Sequence, residues 1–187
     1  MALVALLAGC ATLPAPPPPE RVHAGRFAAT TTLDGRSENT TGRFTLSVAG
    51  PRLTLDLATP LGTTLARIDS TPDSAVLRVP GAQGVQEAHG RDASTLAEEI
   101  LGWPLPVGGI GDWIVGRSAP GRPARVEGEP ASLIEQDGWR IEVQERFDSG
   151  APRRLSFARA ARAGSALSTP APAITLRLVL DEPTAAP

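Results

Sequence analysis

Lysine and tyrosine are absent from the 187-residue chain, and cysteine and methionine occur once each. All 18 basic residues are therefore arginines. A Walker-type phosphate loop needs its lysine, and Schiff-base or pyridoxal chemistry needs a lysine amine, so both are excluded. A GC-rich coding sequence is explanation enough for the missing lysines. Aromatics are scarce, with four Phe and three Trp, and the formal net charge is −2. A nucleic-acid binder draws on positive charge and stacking rings, so nucleic acid is not expected as a partner. No run reaches the roughly 18–20 apolar residues of a membrane-spanning helix. His23 and His89 stand far apart in sequence, and with one cysteine they make no zinc set, so no metal and no cofactor are expected. A Gly-x-Ser-x-Gly elbow is missing. Gly109-Ile110-Gly111 lacks the third glycine of a dinucleotide fingerprint. Glu98 and Glu99 diverge by about 100° on a helix and read as a solvated face, not an acid/base pair. No catalytic residue is assigned, and the chain is not expected to be an enzyme.

What remains has globular proportions, 41% hydrophobic and 20% charged, with 19 Gly and 19 Pro. The length suits one domain, and the turn-forming residues favour short strands over a helical bundle.

Residues 1–9 are small and apolar and lead into Cys10, the pattern of a secretory signal before its cleavage point. Leu7-Ala8-Gly9-Cys10 resembles the bacterial lipobox, in which the cysteine receives a diacylglyceryl thioether and, after cleavage, an N-acyl chain. The positive n-region is missing and nine residues are short for a signal, so the true start is expected upstream. The bland alternative is a free thiol in a buried N-terminal segment. A lone cysteine in an exported protein has no disulfide partner, and a lipid anchor accounts for it. Ala11, not Asp, follows the cysteine; in the sorting logic of lipoproteins this implies the outer membrane. Pro14 and residues 16–19, all proline, then form a stiff tether within 10–24.

From Gly25 onward apolar residues alternate. Phe44, Leu46 and Val48 share one face of a strand; so do Leu53, Leu55 and Leu57; Trp139, Ile141 and Val143; Leu155 and Phe157; and Ile174, Leu176, Leu178 and Leu180. One dry and one wet face mark an antiparallel sheet. Asp34-Gly35 and Asp137-Gly138 are hairpin dipeptides, and Ala49-Gly50-Pro51 breaks another pair. We expect about nine to eleven short strands in a curved sheet or barrel. Asp92 or Ser94 caps a helix with Leu96, Ile100 and Leu101 on its apolar face and Glu98 and Glu99 outside, ended by Trp103-Pro104. Ile110, Trp113 and Ile114 make a second short helix, stopped at Gly116 and Pro120. Residues 164–172 read as a loop insertion and 183–187 as a frayed tail. The concave face of such a sheet is either filled by the helices or kept as an apolar cavity, and the alternation leaves both open.

Several segments resemble a known family. Gly25-Arg26-Phe27-Ala28 and Gly42-Arg43-Phe44 open strands, and Pro60-Leu61-Gly62 follows the third. Asp112-Trp113-Ile114-Val115-Gly116 and Gln136-Asp137-Gly138-Trp139 come later. In this order and spacing they are similar to LolB, the outer-membrane lipoprotein receptor family of lipoprotein localisation. The resemblance implies a mainly β (α+β) fold: an incomplete antiparallel barrel with covering helices and an apolar cavity in a domain spanning 25–182. It implies a monomer anchored in the outer membrane and facing the periplasm. Such a receptor accepts lipoproteins from the soluble carrier LolA and inserts their acyl chains into outer-membrane lipid. It further implies lipid attachment at Cys10, delivery by the loop Pro60, Leu61 and Gly62, and a cavity lined from the dry faces by Phe44, Leu46, Leu55, Leu57, Trp113, Trp139 and Ile141. Leu46 and Leu178 stand near places where the family often carries Trp, and the usual helix before the first strand is replaced by the proline-rich tether. The rival reading is a lipid-anchored envelope scaffold with a filled core that binds a protein partner; an envelope hydrolase is a distant third.

Overall fold

In a computed structural model of the chain, the structure describes residues 19–164 and 170–182. The expected signal segment, Cys10, most of the tether, the middle of the 164–172 loop and the 183–187 tail lie outside the described residues.

Alternation is realised as eleven strands: β1 Arg21–Leu33, β2 Arg36–Ala49, β3 Arg52–Ala58, β4 Thr64–Thr71, β5 Ser74–Gly81 and β6 Gly84–Gly90, then β7 Arg125–Glu127, β8 Leu133–Gln136, β9 Trp139–Arg146, β10 Pro152–Arg159 and β11 Ala173–Leu180. Between the two runs lie α1 (Ala93–Leu101) and α2 (Ile110–Trp113). All strands join one antiparallel sheet in the order β6-β5-β4-β3-β2-β1-β11-β10-β9-β8-β7. The first and last strands pair at its middle, with Phe27 opposite Leu178, and the two halves of the chain meander outward from that seam. The sheet is open, with β6 and β7 as its edges.

Hairpin chemistry explains the tight connections. Asp34 and Gly35 sit at φ 50° and 75°, and Asp137 and Gly138 at φ 53° and 77°. Two positive φ values in a row are what a type I′ turn requires, and they match the twist of the flanking strands.

The dry faces named above are all buried or partly buried, and they merge into one apolar cluster with residues of the helices. Leu155, Phe157 and Ile141 are each 0% exposed. The helices supply only nine and four residues, too few to cover eleven strands. The sheet must bend over its own inner face to dry it.

Details of the first strand and of α1 differ from the sequence-based expectation. The first strand starts at Arg21, so residues 21–24, read as tether, pair with residues 45–48 of β2. Of the two caps expected for α1 it is Asp92 that serves, accepting a hydrogen bond from the Thr95 amide at 2.7 Å. The helix ends at Gly102 in the left-handed region (φ 77°), before Trp103-Pro104. Its buried residues are Ala93, Leu96 and Ala97, and Ile100 is left 49% exposed. Small alanines permit the close approach to β5 and β6 that a face centred on Ile100 would not. Glu98 is correspondingly not on a solvated face: it pairs with Arg162, and lies 4.0 Å from Arg159.

Candidate functional site

The turn between β3 and β4 is closed on itself by Thr59. Its amide donates to the Thr63 carbonyl at 2.8 Å, its carbonyl accepts from Gly62 N at 2.9 Å, and its hydroxyl accepts from Thr63 N at 3.1 Å. Gly62 takes φ 91°, which other residues rarely adopt. With the backbone fixed by these bonds, Leu61 is held out at the tip and is 97% exposed. No charged residue occurs between 59 and 63. The sequence pointed to Pro60, Leu61 and Gly62; the closing role of Thr59 is read only from the structure.

The seven residues expected to line a cavity, Phe44, Leu46, Leu55, Leu57, Trp113, Trp139 and Ile141, are brought together. Each is 0–7% exposed and all belong to the one apolar cluster. Trp113 and Trp139 have a second surface: they also form the floor of a cleft of about 700 Å³ beside α1. The cleft walls are polar and charged. Arg122 pairs with Asp137 and donates to the Gly108 carbonyl at 2.8 Å. The Gly108 amide in turn donates to Ser94 Oγ at 3.2 Å. On the other side Glu98 faces Arg162 and Arg159, and the Arg159 guanidinium sits 5.8 Å from the Trp139 ring centroid, over its face.

Below this rim lies Gln136, the one buried polar side chain among the described residues. Its Oε1 accepts from Trp113 Nε1 at 2.7 Å and from the Ala119 amide at 2.8 Å. Its Nε2 donates to the carbonyls of Ala119 and Arg122 at 2.9 and 3.2 Å. One side chain thus fixes the indole of α2 and the segment that brings Arg122 to the rim. The sequence reading quoted Gln136 as part of a motif but gave it no role.

Comparison with known proteins gives a consistent answer. Residues 22–182 match the family described as "Outer membrane lipoprotein LolB". The chain is 38% identical to the outer-membrane lipoprotein LolB of Cupriavidus necator over 168 residues, covering 87% of this chain and 79% of that one. It is also 38% identical to the LolB of Bordetella petrii over 191 residues, covering 97% and 89%. The Bordetella pertussis protein of the same name is 36% identical with the same coverage.

Proposed function

The chain belongs to the LolB family of outer-membrane lipoproteins, and on that premise we propose that it receives lipoproteins from the periplasmic carrier LolA and passes their acyl chains to the outer membrane. The match across residues 22–182 carries this reading. The physical need is clear. At about 0.8 kcal/mol per CH₂, a chain of ~16 carbons costs on the order of 10 kcal/mol to expose to water. Cargo with several such chains has to pass from one apolar interior to another. No nucleotide is required if this protein binds the cargo more tightly than the carrier does, since each 1.4 kcal/mol of difference is worth about tenfold.

Acyl chains are proposed to enter among Phe44, Leu46, Leu55, Leu57, Trp113, Trp139 and Ile141. Room comes from lifting the apolar face of α1 off the sheet, with Glu98 still paired to Arg162 at the rim. That face holds to the sheet through Ala93, Leu96 and Ala97, whose burial is worth only about 3–4 kcal/mol. A strand would be far harder to move, because each is hydrogen-bonded along its length. One acyl chain outcompetes the helix, and α1 becomes its cover. Binding is expected to shift the fluorescence of Trp113 and Trp139, and saturating acyl ligand should block uptake of cargo from the carrier. If neither signal changes, the filled-core scaffold reading is correct instead.

Cys10 is proposed to be the mature N-terminal residue, carrying a diacylglyceryl thioether and an N-acyl chain. The intact mass of the N-terminal peptide checks this: three acyl chains are expected, and an unmodified thiol in a protein made with its own full signal refutes the anchor. A Cys10→Ala form behind another signal should be found free in the periplasm. It should retain cargo binding, because the binding residues all lie in the sheet domain.

A further inference from the structure

The cleft beside α1 holds charges that acyl chains cannot use. Four carboxylates (Asp92, Glu98, Glu99, Asp137) and three guanidiniums (Arg122, Arg159, Arg162) surround a floor of Trp113 and Trp139. Each guanidinium is turned toward a carboxylate: Arg122 to Asp137, and Arg159 and Arg162 to Glu98. An anion entering here meets paired arginines and an excess of negative charge. Resting on the receptor reading above, we infer that this cleft is a head subsite for the neutral glyceryl–cysteinyl peptide head of a lipoprotein, and that it rejects lipids bearing phosphate.

Chemistry separates the two ligands. In a triacylated cysteine the amine is an amide, the thiol a thioether and the glycerol hydroxyls esters, so the head carries no formal charge. It offers carbonyl oxygens to guanidinium N–H groups that the ion pairs leave over, and peptide N–H groups to the carboxylates. A phospholipid has the same acyl tails but brings at least one negative charge. Its phosphate would reach those N–H groups only beside Glu98 or Asp137, and the surplus of carboxylates over guanidiniums around the cleft opposes its charge. The apolar interior cannot tell one set of tails from another. Discrimination has to come from the head, and here it takes the form of a repulsive element at the mouth. Position suits the role: Trp113 and Trp139 both border the cleft and belong to the apolar cluster, so a head in the cleft sits next to tails in the interior.

The test uses the full chain carrying Cys10→Ala, with two fluorescent probes: a neutral triacyl-cysteinyl-serine amide and phosphatidylglycerol in vesicles. The unsubstituted protein is expected to take up the lipopeptide at least tenfold in preference to the phospholipid. Glu98→Gln, which releases Arg159 and Arg162, and Asp137→Asn, which releases Arg122, should each raise phosphatidylglycerol uptake severalfold. Arg162→Gln removes the closer of the two contacts that Glu98→Gln removes but leaves the cleft more negative, and should not raise it. The inference is overturned if the carboxylate variants leave phospholipid uptake unchanged, or if the unsubstituted protein takes both lipids equally. It is also overturned if Arg162→Gln raises phospholipid uptake as much as Glu98→Gln, since loosening and not charge would then be responsible. Uptake of neither probe by the unsubstituted protein overturns the receptor reading itself.

Discussion

Gln136→Leu is expected to destabilise the fold by about 3–5 kcal/mol, roughly a thousandfold in the folding equilibrium. The amide makes four hydrogen bonds, to Trp113 Nε1, to the Ala119 amide and carbonyl, and to the Arg122 carbonyl. Leucine has nearly the same volume and leaves no large void, so the effect isolates the polar loss. Each partner left unmatched in an interior costs about 1–3 kcal/mol, less where water can reach it, and the Arg122 carbonyl near the rim is the one water reaches first. Urea unfolding checks this: the midpoint should fall with the slope unchanged. Gln136→Glu keeps both acceptor contacts; ionised it loses both donated bonds, protonated it loses one, so its loss should be smaller than that of the leucine variant at low pH. A loss under about 1 kcal/mol for the leucine variant would mean that Gln136 is not the hub of this region. The functional consequence follows from Trp113. Without its partner the indole is no longer oriented, and the floor of the cleft is no longer fixed.

How the sequence disclosed its fold depended on whether a strand had a dry side. β2, β3, β9, β10 and β11 each place three or more apolar residues, or two large ones, on one face, and their faces were read correctly. β6 has no fully buried residue, and all three residues of β7 are exposed. These are the edges of the sheet, where only α1 touches the last residues of β6, so alternation had little reason to appear. The helix boundaries were legible through Asp92, whose cap geometry is local, but its orientation was not. Ile100 carries more hydrophobicity than Ala93 and Ala97 together and drew the expected face toward itself, whereas close approach to the sheet selected the alanines.

Within the site the same contrast holds. Leu61 was legible because an apolar residue between Pro60 and Gly62 has no core within reach. Gln136 left a weaker trace: it follows Ile134 by two residues, so it stands in the dry phase of β8, and a polar residue there signals buried hydrogen-bond partners. Glu98 left none, because its partners Arg159 and Arg162 are brought to it from the other half of the chain. Whether the interior is filled or receives a ligand is not encoded in alternation at all. Both states present the same dry faces to the sequence.

Leu61→Glu is expected to slow release of cargo into outer-membrane vesicles by on the order of tenfold or more, with acceptance from the carrier nearly unchanged. Leu61 is 97% exposed, so the substitution removes no packing contact. The turn is held by Thr59 and by the φ of Gly62, neither of which depends on the Leu61 side chain. Stability should therefore change by less than about 0.5 kcal/mol. At a bilayer the balance is different. A leucine entering the lipid interface gains about 1–2 kcal/mol, too little to anchor a domain but enough to hold one already tethered in a preferred orientation. The tip carries no charge of its own, so nothing opposes that entry. Glutamate forfeits the gain and adds the cost of bringing a carboxylate to the interface, a swing of at least 1.4 kcal/mol and hence about tenfold in the population of the delivering orientation. Leu61→Phe keeps the apolar tip and should release cargo at close to the normal rate. The measurement is single-turnover transfer of labelled lipoprotein, first from carrier to this protein and then from this protein to vesicles. Wild-type release by Leu61→Glu, or a failure of the variant to accept cargo at all, would remove Leu61 from the delivery step.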